Sequence, residues 1–160
     1  MEPVAITVRP ATEDDLEALG RLAGALVRMH HDTDARRFVL PDDVEKGYRW
    51  WFRKELGNAD AMLRVAVDAA GAIVGYTYAR SEPQDWNLLL APHVALHDIL
   101  VDPAARGAGV GEALMTAFVA DVDARGGPRV VLHTMVSNER AQRLFAKFGF
   151  RPTMLEMTRG

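Results

Sequence analysis

Apolar positions follow two different periods in the early part of the chain. The alternating residues Val4, Ile6 and Val8 predict a first strand, because successive side chains of a strand point to opposite faces. Between residues 16 and 30 the apolar residues recur every three or four positions, which predicts an amphipathic helix. The Thr-x-x-Asp sequence at residues 12–15 has the spacing of a capping box and predicts where this helix begins.

A second helix and three more strands follow. Pro41 and the two aspartates after it suit a helix N-terminus, so a helix is predicted from there through about Leu56. Residues 62–67 and 72–79 are typical of the two strands of a hairpin. Residues 94–101 predict a fourth strand.

Beyond the fourth strand the pattern alternates between helix and strand. It predicts a helix at 110–125, a strand at 129–135, a short helix at 141–148 and a last strand at 150–158. Antiparallel strands followed by a strand–helix–strand unit indicate a mixed α/β (α+β) fold. We expect a mixed central sheet, antiparallel first and parallel at the end, flanked by about four helices in one domain spanning residues 1–160.

The composition narrows the range of partners. The formal net charge of −3 argues against nucleic acid as a partner, because phosphate binding needs a dense basic face. It has no cysteine, which excludes disulfides, cysteine-based zinc sites and a cysteine nucleophile. The N-terminus lacks the features of a signal peptide, and no apolar run approaches the ~20 residues of a membrane span. We therefore expect a cytoplasmic protein without nucleic acid or membrane partners.

A glycine-rich segment, Arg106-Gly107-Ala108-Gly109-Val110-Gly111, follows the fourth strand and leads directly into a helix. Three glycines at every second position leave backbone N–H groups uncovered and let a ligand approach closely, whereas a plain turn needs only one glycine. The helix N-terminus adds unpaired donors and a positive dipole end, so the segment predicts a pyrophosphate site. A Walker loop does not fit because Glu112 follows Gly111, and the G-x-G-x-G spacing is not the dinucleotide fingerprint.

Two motifs together resemble one known superfamily. The sequence Arg106-x-x-Gly109-x-Gly111 after a strand is similar to the coenzyme A signature of the GNAT N-acetyltransferases. A second signature of that superfamily matches the stretch from Asn138 to Phe150, and the predicted element order agrees along essentially the whole chain. The resemblance implies an acetyl-coenzyme A-dependent N-acetyltransferase, with acetyl-coenzyme A as cosubstrate and no metal.

The resemblance also implies where the cofactor binds. The fourth and fifth strands are expected to splay apart, with the pantetheine arm between them. The backbone of the fourth strand would bond the arm, the glycine segment would hold the pyrophosphate, and two residues of the second signature would line the arm near the thioester. These residues are Ile99, Leu100, Val101, Arg106, Gly107, Ala108, Gly109, Val110, Gly111, Glu112, Asn138 and Phe145.

The catalytic residues are less clearly indicated. Many members of the superfamily carry a tyrosine that acts as the acid where this chain has Phe145, so the acid here is a water, another side chain, or absent. For the base, the fourth strand offers His97 and Asp98. An imidazole suits acceptance of an amine proton, but His97 is alternatively a half-buried strand residue bonded to a loop, and Asp98 a residue that orders a neighbouring loop. Strand alternation predicts opposite faces for these two side chains, so that at most one faces the thioester.

Other polar and aromatic residues carry two interpretations each. His93 and His97 are ~13 Å apart on a strand and cannot share a metal ion. The residues 30–34, which include two histidines and two aspartates, are either an acidic rim for a cationic amine, as the resemblance suggests, or a solvated loop. Trp86 and the three leucines after it are expected to form a lid or a contact in a homodimer.

Without a cysteine to hold an acetyl group, transfer is expected to be direct, in a ternary complex. The acceptor would be the primary amine of a small molecule or a peptide. The alternative is a catalytically weak coenzyme A-binding regulatory module, and Phe145 is the residue that keeps this alternative open.

Overall fold

A computed structural model describes residues 5–160, so Val4 of the predicted first strand lies outside the described residues. Short 3₁₀ turns precede the first and third helices. The helices and strands follow in the order β1 (Thr7–Pro10), α1 (Leu16–Thr33), α2 (Val44–Glu55), β2 (Ala61–Val67), β3 (Ile73–Glu82), β4 (His93–Val101), α3 (Val110–Ala124), β5 (Val130–Leu132) and α4 (Glu139–Lys147).

The five strands form one mixed sheet whose spatial order is the chain order. The pairs from β1 to β4 are antiparallel, and β5 is parallel to β4. A parallel neighbour requires a crossover connection, which α3 supplies. The predicted mixed sheet with four flanking helices is confirmed.

Each face of the sheet is covered by a pair of helices. On one face, Leu19 and Leu22 of α1 and Phe52 of α2 pack with Tyr76 and Leu100 in a buried cluster. On the opposite face, α3 and α4 cover a second cluster, whose members include Val94, Leu96, Phe118 and Phe145. Strand β4 thus contributes side chains to both cores.

The 3₁₀ turn that leads into α1 confirms the capping box predicted from the sequence. The carboxylate of Asp15 accepts a hydrogen bond from the backbone N–H of Thr12 at 2.8 Å. The same carboxylate pairs with Arg9 on β1 at 2.7 Å. The hydrogen bond from Arg9, more than the one from Thr12, holds the pKa of Asp15 below its usual range.

The predicted last strand at 150–158 is wrong. These residues have no regular secondary structure, and the side chains of Met154, Leu155 and Met157 are exposed. Their alternation supplies strand propensity, but a strand forms only where a neighbouring strand offers a ladder, and none of the strands in residues 5–160 pairs with them. The predicted strand at 129–135 is likewise shortened to Val130–Leu132, because its ladder with β4 ends there.

Candidate active site

A β-bulge in β4 interrupts the alternation of its side chains. In the register with β3, Leu96 pairs with Ala79 and Asp98 pairs with Tyr78, so His97 is an extra residue without a Cα partner on β3. Such a bulge lets two successive side chains emerge on similar sides of the strand. The expectation of opposite faces for His97 and Asp98 rests on strict alternation, which fails here.

The contacts of the two side chains show that they lie on the same face. The ring of His97 stacks on the ring of Tyr78, with centroids 5.4 Å apart and an interplanar angle of 25°. The carboxylate of Asp98 accepts a hydrogen bond from the hydroxyl of Tyr76 at 3.0 Å. Both tyrosines belong to the core cluster beneath α1 and α2. Two acid–base groups of β4 therefore face these helices together.

Glu82 at the end of β3 holds the imidazole of His97. The Nε2 atom of His97 lies 3.1 Å from Oε1 of Glu82, and the two side chains are 43% and 27% exposed. When the Nε2–H group donates a hydrogen bond to the carboxylate, Nδ1 keeps a free lone pair and is able to accept a proton. His97 is thus bonded to a neighbouring strand and not to a loop.

Asp98 lies in a less hydrated environment beside two phenols. Burial raises the pKa of Asp98, and the hydrogen bond from Tyr76 partly opposes this rise. Burial, together with the nearby charge of Asp98, raises the pKa of Tyr48 to about 12 and that of Tyr76 well above its usual value. Both phenols therefore keep their protons at neutral pH and remain donors.

The backbone of β4 extends past the end of its neighbour β5. The parallel ladder joins only residues 94–96 to residues 130–132, whereas β4 continues to Val101. The predicted pantetheine contacts Ile99, Leu100 and Val101 lie in this extension, and they pair with β3 on the other side. Polar backbone groups along this edge are available to an extended ligand.

The three glycines after β4 are required for two different reasons. Gly107 and Gly109 have φ values of +85° and +78°, which other residues rarely adopt, and a Cβ at either position would meet no atom of the described residues 5–160 within 4 Å. At Gly111 the constraint is packing, since a Cβ there would lie 3.1 Å from the Leu144 side chain of α4. The loop surface is therefore open at the first two glycines and closely packed at the third.

The N-terminus of α3 has no side-chain cap. Its N-cap residue is Gly109, whereas the N-cap of α4, Asn138, accepts a hydrogen bond from Ala141 N at 3.1 Å. The first N–H groups of α3 thus remain available to an anion. Glu112 in the first turn is paired with Lys147 of α4 at 2.5 Å, which offsets a negative charge close to this site.

The remaining predicted contacts occupy varied positions. Arg106 is exposed and extended, Ala108 is half-buried, and Val110 is buried beneath the loop. Asn138 uses its side-chain oxygen to cap α4. Phe145 is 6% exposed and lies in the core between β4, α3 and α4 rather than on an open wall.

A cavity of about 600 Å³ lies beside His97 on the face covered by α1 and α2. Its wall combines aromatic and charged side chains, among them Asp43, Tyr48, Trp51, Tyr78, Glu82 and His97. The sequence did not indicate Tyr78 or Glu82, because neither belongs to a motif and both meet His97 only through strand pairing. Helical spacing on α2 does place Tyr48 and Trp51 on one face, and this signal was available in the sequence.

The predicted rim at residues 30–34 is not part of this cavity. His30 and His31 bond through Nδ1 to the backbone carbonyls of Leu26 and Phe38, both at 2.8 Å. Asp34 accepts hydrogen bonds from the backbone of the following turn. Residues 30–33 belong to the last turn of α1, so the predicted loop is wrong there, and the acidic residues that line the cavity are Asp42, Asp43 and Glu82 instead.

The described residues, 5–160, lack two further features. No group of three or more histidine, aspartate or glutamate side chains there is arranged to hold a metal ion. None of the helices in that range combines the length and apolar character needed to cross a membrane.

Sequence comparisons indicate one family. The model of the acetyltransferase (GNAT) family matches residues 26–150. The phosphinothricin N-acetyltransferase of Streptomyces coelicolor is 31% identical over 147 residues, which cover 91% of this chain and 82% of that protein. The mycothiol acetyltransferase of a Nocardioides species is 26% identical over 154 residues, which cover 92% of this chain. The chain spans only 50% of the length of this second relative.

Solved structures share the fold over nearly the whole chain. The tetramutant of the BH1408 protein from Bacillus halodurans has a TM-score of 0.82 at 22% identity, covering 96% of this chain and 99% of that one. A predicted acetyltransferase from Clostridium acetobutylicum, solved with acetyl-coenzyme A, has a TM-score of 0.70 at 18% identity and covers 96% of each chain. At these identities the likeness establishes the fold.

Proposed function

The chain belongs to the acetyltransferase (GNAT) family, and we propose on that premise that it is an acetyl-coenzyme A-dependent N-acetyltransferase. The acetyl group would pass directly to the primary amine of a small molecule or peptide. Two features of β4 support this proposed activity most. Its edge beyond Leu96 leads to the uncapped start of α3, and its bulge turns His97 toward the cavity on the other side.

The residues present fit coenzyme A. The backbone of Ile99 to Val101 would bond the pantetheine arm, as an added strand bonds a sheet edge. The open loop at Gly107 and Gly109 and the first N–H groups of α3 would hold the pyrophosphate, with Arg106 as an exposed cation nearby. Bound acetyl-coenzyme A supplies a thioester, from which the acetyl group is transferred.

Groups of the chain itself would accept the acceptor's ammonium proton and stabilise the negative charge that develops on the thioester carbonyl oxygen. Nδ1 of His97 would take the proton of the acceptor ammonium, with Glu82 fixing the tautomer through Nε2. The amine nitrogen would bond to the carbonyl carbon, the carbon–sulfur bond would break, and the sulfur would leave as a thiolate while the second proton of the nitrogen passes to water. A backbone N–H at the bulge would donate to the carbonyl oxygen as it gains negative charge. Asp98 is the second candidate for the base, since it lies on the same face.

A first test is the binding of acetyl-coenzyme A to the folded protein. Because the ligand binds only the native state, we expect it to raise the melting temperature. At a hundredfold excess over the dissociation constant, the free energy of unfolding should rise by about 2.7 kcal/mol. Differential scanning calorimetry with and without ligand measures this. An unchanged melting curve at millimolar acetyl-coenzyme A would contradict the central claim.

A second candidate function is a coenzyme A-binding regulatory module with little catalysis. Phe145 supports it, because this side chain has no proton to donate to the leaving thiolate. An ordinary thiol has a pKa of about 8.5, however, so its thiolate leaves without obligatory protonation. An acceptor screen that follows thiol release separates the two functions, since the regulatory module would bind coenzyme A without turnover.

Phe145→Tyr tests whether a general acid is missing. General acid catalysis contributes about 10²–10⁴ when fully used, and we expect a smaller gain of roughly two- to tenfold because the thiolate departs unaided. Phe145 is 6% exposed, so the new hydroxyl must find a partner or lower the stability by about 1–3 kcal/mol. Steady-state rates and a melting curve measure both effects. If coenzyme A still binds and turnover falls severely, the site requires Phe and uses other chemistry.

A further inference from the structure

We propose that the cavity beside His97 admits a cationic primary amine on a flat apolar body and disfavours acceptors that carry a carboxylate next to the amine. This substrate class rests on the proposed function, because it assumes that the acceptor occupies this cavity. The expected substrate class follows from three features of the cavity wall. These are its aromatic surfaces, the carboxylates that form no ion pair among residues 5–160, and the pairing of Arg80 with Glu55.

The aromatic part of the wall is held rigidly. Trp51 Nε1 donates to the hydroxyl of Tyr78 at 3.2 Å, and that hydroxyl donates to the carboxylate of Glu55 at 2.6 Å. Tyr48 of α2 completes the aromatic surface. Flat rings favour an apolar body of similar shape, and their faces attract a cation within about 6 Å.

Two carboxylates of the wall, those of Asp42 and Asp43, are available to a ligand. Asp43 is the N-cap of α2, yet its side chain makes no cap hydrogen bond, and its φ of 52° is unusual for a residue other than glycine. Within residues 5–160, neither Asp42 nor Asp43 forms an ion pair. Glu82 adds a third negative charge next to His97. An ammonium group entering the cavity therefore meets a favourable potential.

Arg80 is the feature of the wall that would attract a ligand carboxylate, but its charge is already matched. Its Nε atom lies 3.6 Å from Oε2 of Glu55, whose side chain is 4% exposed. This Nε is buried and, among residues 5–160, has no hydrogen-bond partner, so its contact with Glu55 is an ion pair without a hydrogen bond. A ligand carboxylate that drew Arg80 away would leave the Glu55 carboxylate buried without a compensating cation, which is costly. The carboxylate of an amino acid acceptor would also be repelled by the acidic side chains of Asp42, Asp43 and Glu82.

Three probes that share one ring test this class directly: 2-phenylethylamine, L-phenylalanine and 2-phenylethanol. The second adds a carboxylate beside the amine, and the third replaces the ammonium with a neutral hydroxyl. Their dissociation constants are measured by calorimetry on the full chain, with and without saturating coenzyme A, and thiol release from acetyl-coenzyme A gives kcat/KM for the two amines. We expect 2-phenylethylamine to bind at least about tenfold more tightly than either of the others and to have the higher kcat/KM.

A double variant identifies the charges responsible. Asp42→Asn with Asp43→Asn is expected to weaken binding of 2-phenylethylamine by about three- to tenfold while affinity for 2-phenylethanol is retained. The matched control, Asp14→Asn with Asp123→Asn, changes the net charge equally at two exposed positions that do not line the cavity. It should leave both affinities nearly unchanged.

The outcomes separate the substrate class from the proposed function. Equal or tighter binding of L-phenylalanine, equal binding of the alcohol, no binding of 2-phenylethylamine at millimolar concentration, or the same loss in the control variant each overturns the substrate class. Failure of coenzyme A to bind in the same titrations would instead overturn the proposed function.

Discussion

Gly109→Val is expected to weaken acetyl-coenzyme A binding at least about a hundredfold, because the side chain would fill the space where the backbone meets the pyrophosphate. Among residues 5–160, a Cβ at this position meets nothing within 4 Å, so the loss falls on the ligand rather than on packing. The φ of +78° at this glycine adds a strain of roughly 1–2 kcal/mol in the variant. Calorimetric titration of the folded variant measures the affinity.

The chain offers a matched control for that strain. Gly71 in the β2–β3 turn has a φ of +86° and equally open surroundings. Gly71→Val should lower the melting temperature by a similar amount and leave coenzyme A affinity unchanged. Normal binding by a folded Gly109→Val variant would show that the phosphate site lies elsewhere.

His97→Gln is expected to reduce turnover at neutral pH by roughly tenfold to a thousandfold. If His97 takes the amine proton, the rate of the unmodified protein is expected to rise with pH in two steps, with a lower inflection that depends on His97 and a second rise as the free amine appears. Glutamine keeps a polar side chain of similar reach but accepts no proton. It should abolish the lower inflection and cause less loss in alkali, where free amine is abundant.

Two comparisons make the assignment of the base specific. Coenzyme A affinity should stay unchanged in His97→Gln, since only the backbone of this strand is expected to contact the pantetheine. Asp98→Asn retains an acceptor for the Tyr76 hydroxyl but removes the charge, and the lower inflection should survive in it. A full rate and an intact lower inflection in His97→Gln, together with their loss in Asp98→Asn, would transfer the role of base to Asp98.

Sequence reasoning succeeded where the structure depends on local preferences. The capping box at residues 12–15, the helix periods and the turn glycines each act through residues close in the chain, so their patterns predicted these features correctly. The departure of Phe145 from the superfamily's motif is also visible in the sequence, whereas its position in the core is not.

Prediction failed where a feature depends on a distant partner. Residues 150–158 alternate as a strand should, yet no neighbouring strand among residues 5–160 pairs with them. The bulge at His97 likewise depends on how β3 aligns with β4. It places the side chains of His97 and Asp98 on one face of the sheet, whereas strict alternation predicts opposite faces. Glu82 meets His97 across that pairing, from 15 residues away in the chain.

The sequence alone determined the mixed fold, the glycine loop before α3 and the absence of a cysteine nucleophile, because backbone preferences and side-chain chemistry are properties of single residues and their near neighbours. Only the tertiary structure decided which groups meet at the cavity: His97 with Glu82 and Tyr78, and Arg80 with the buried Glu55. Strand register and helix packing determine these contacts. Both depend on interactions between segments that are distant in the chain, which the hydrophobic pattern of each segment does not specify.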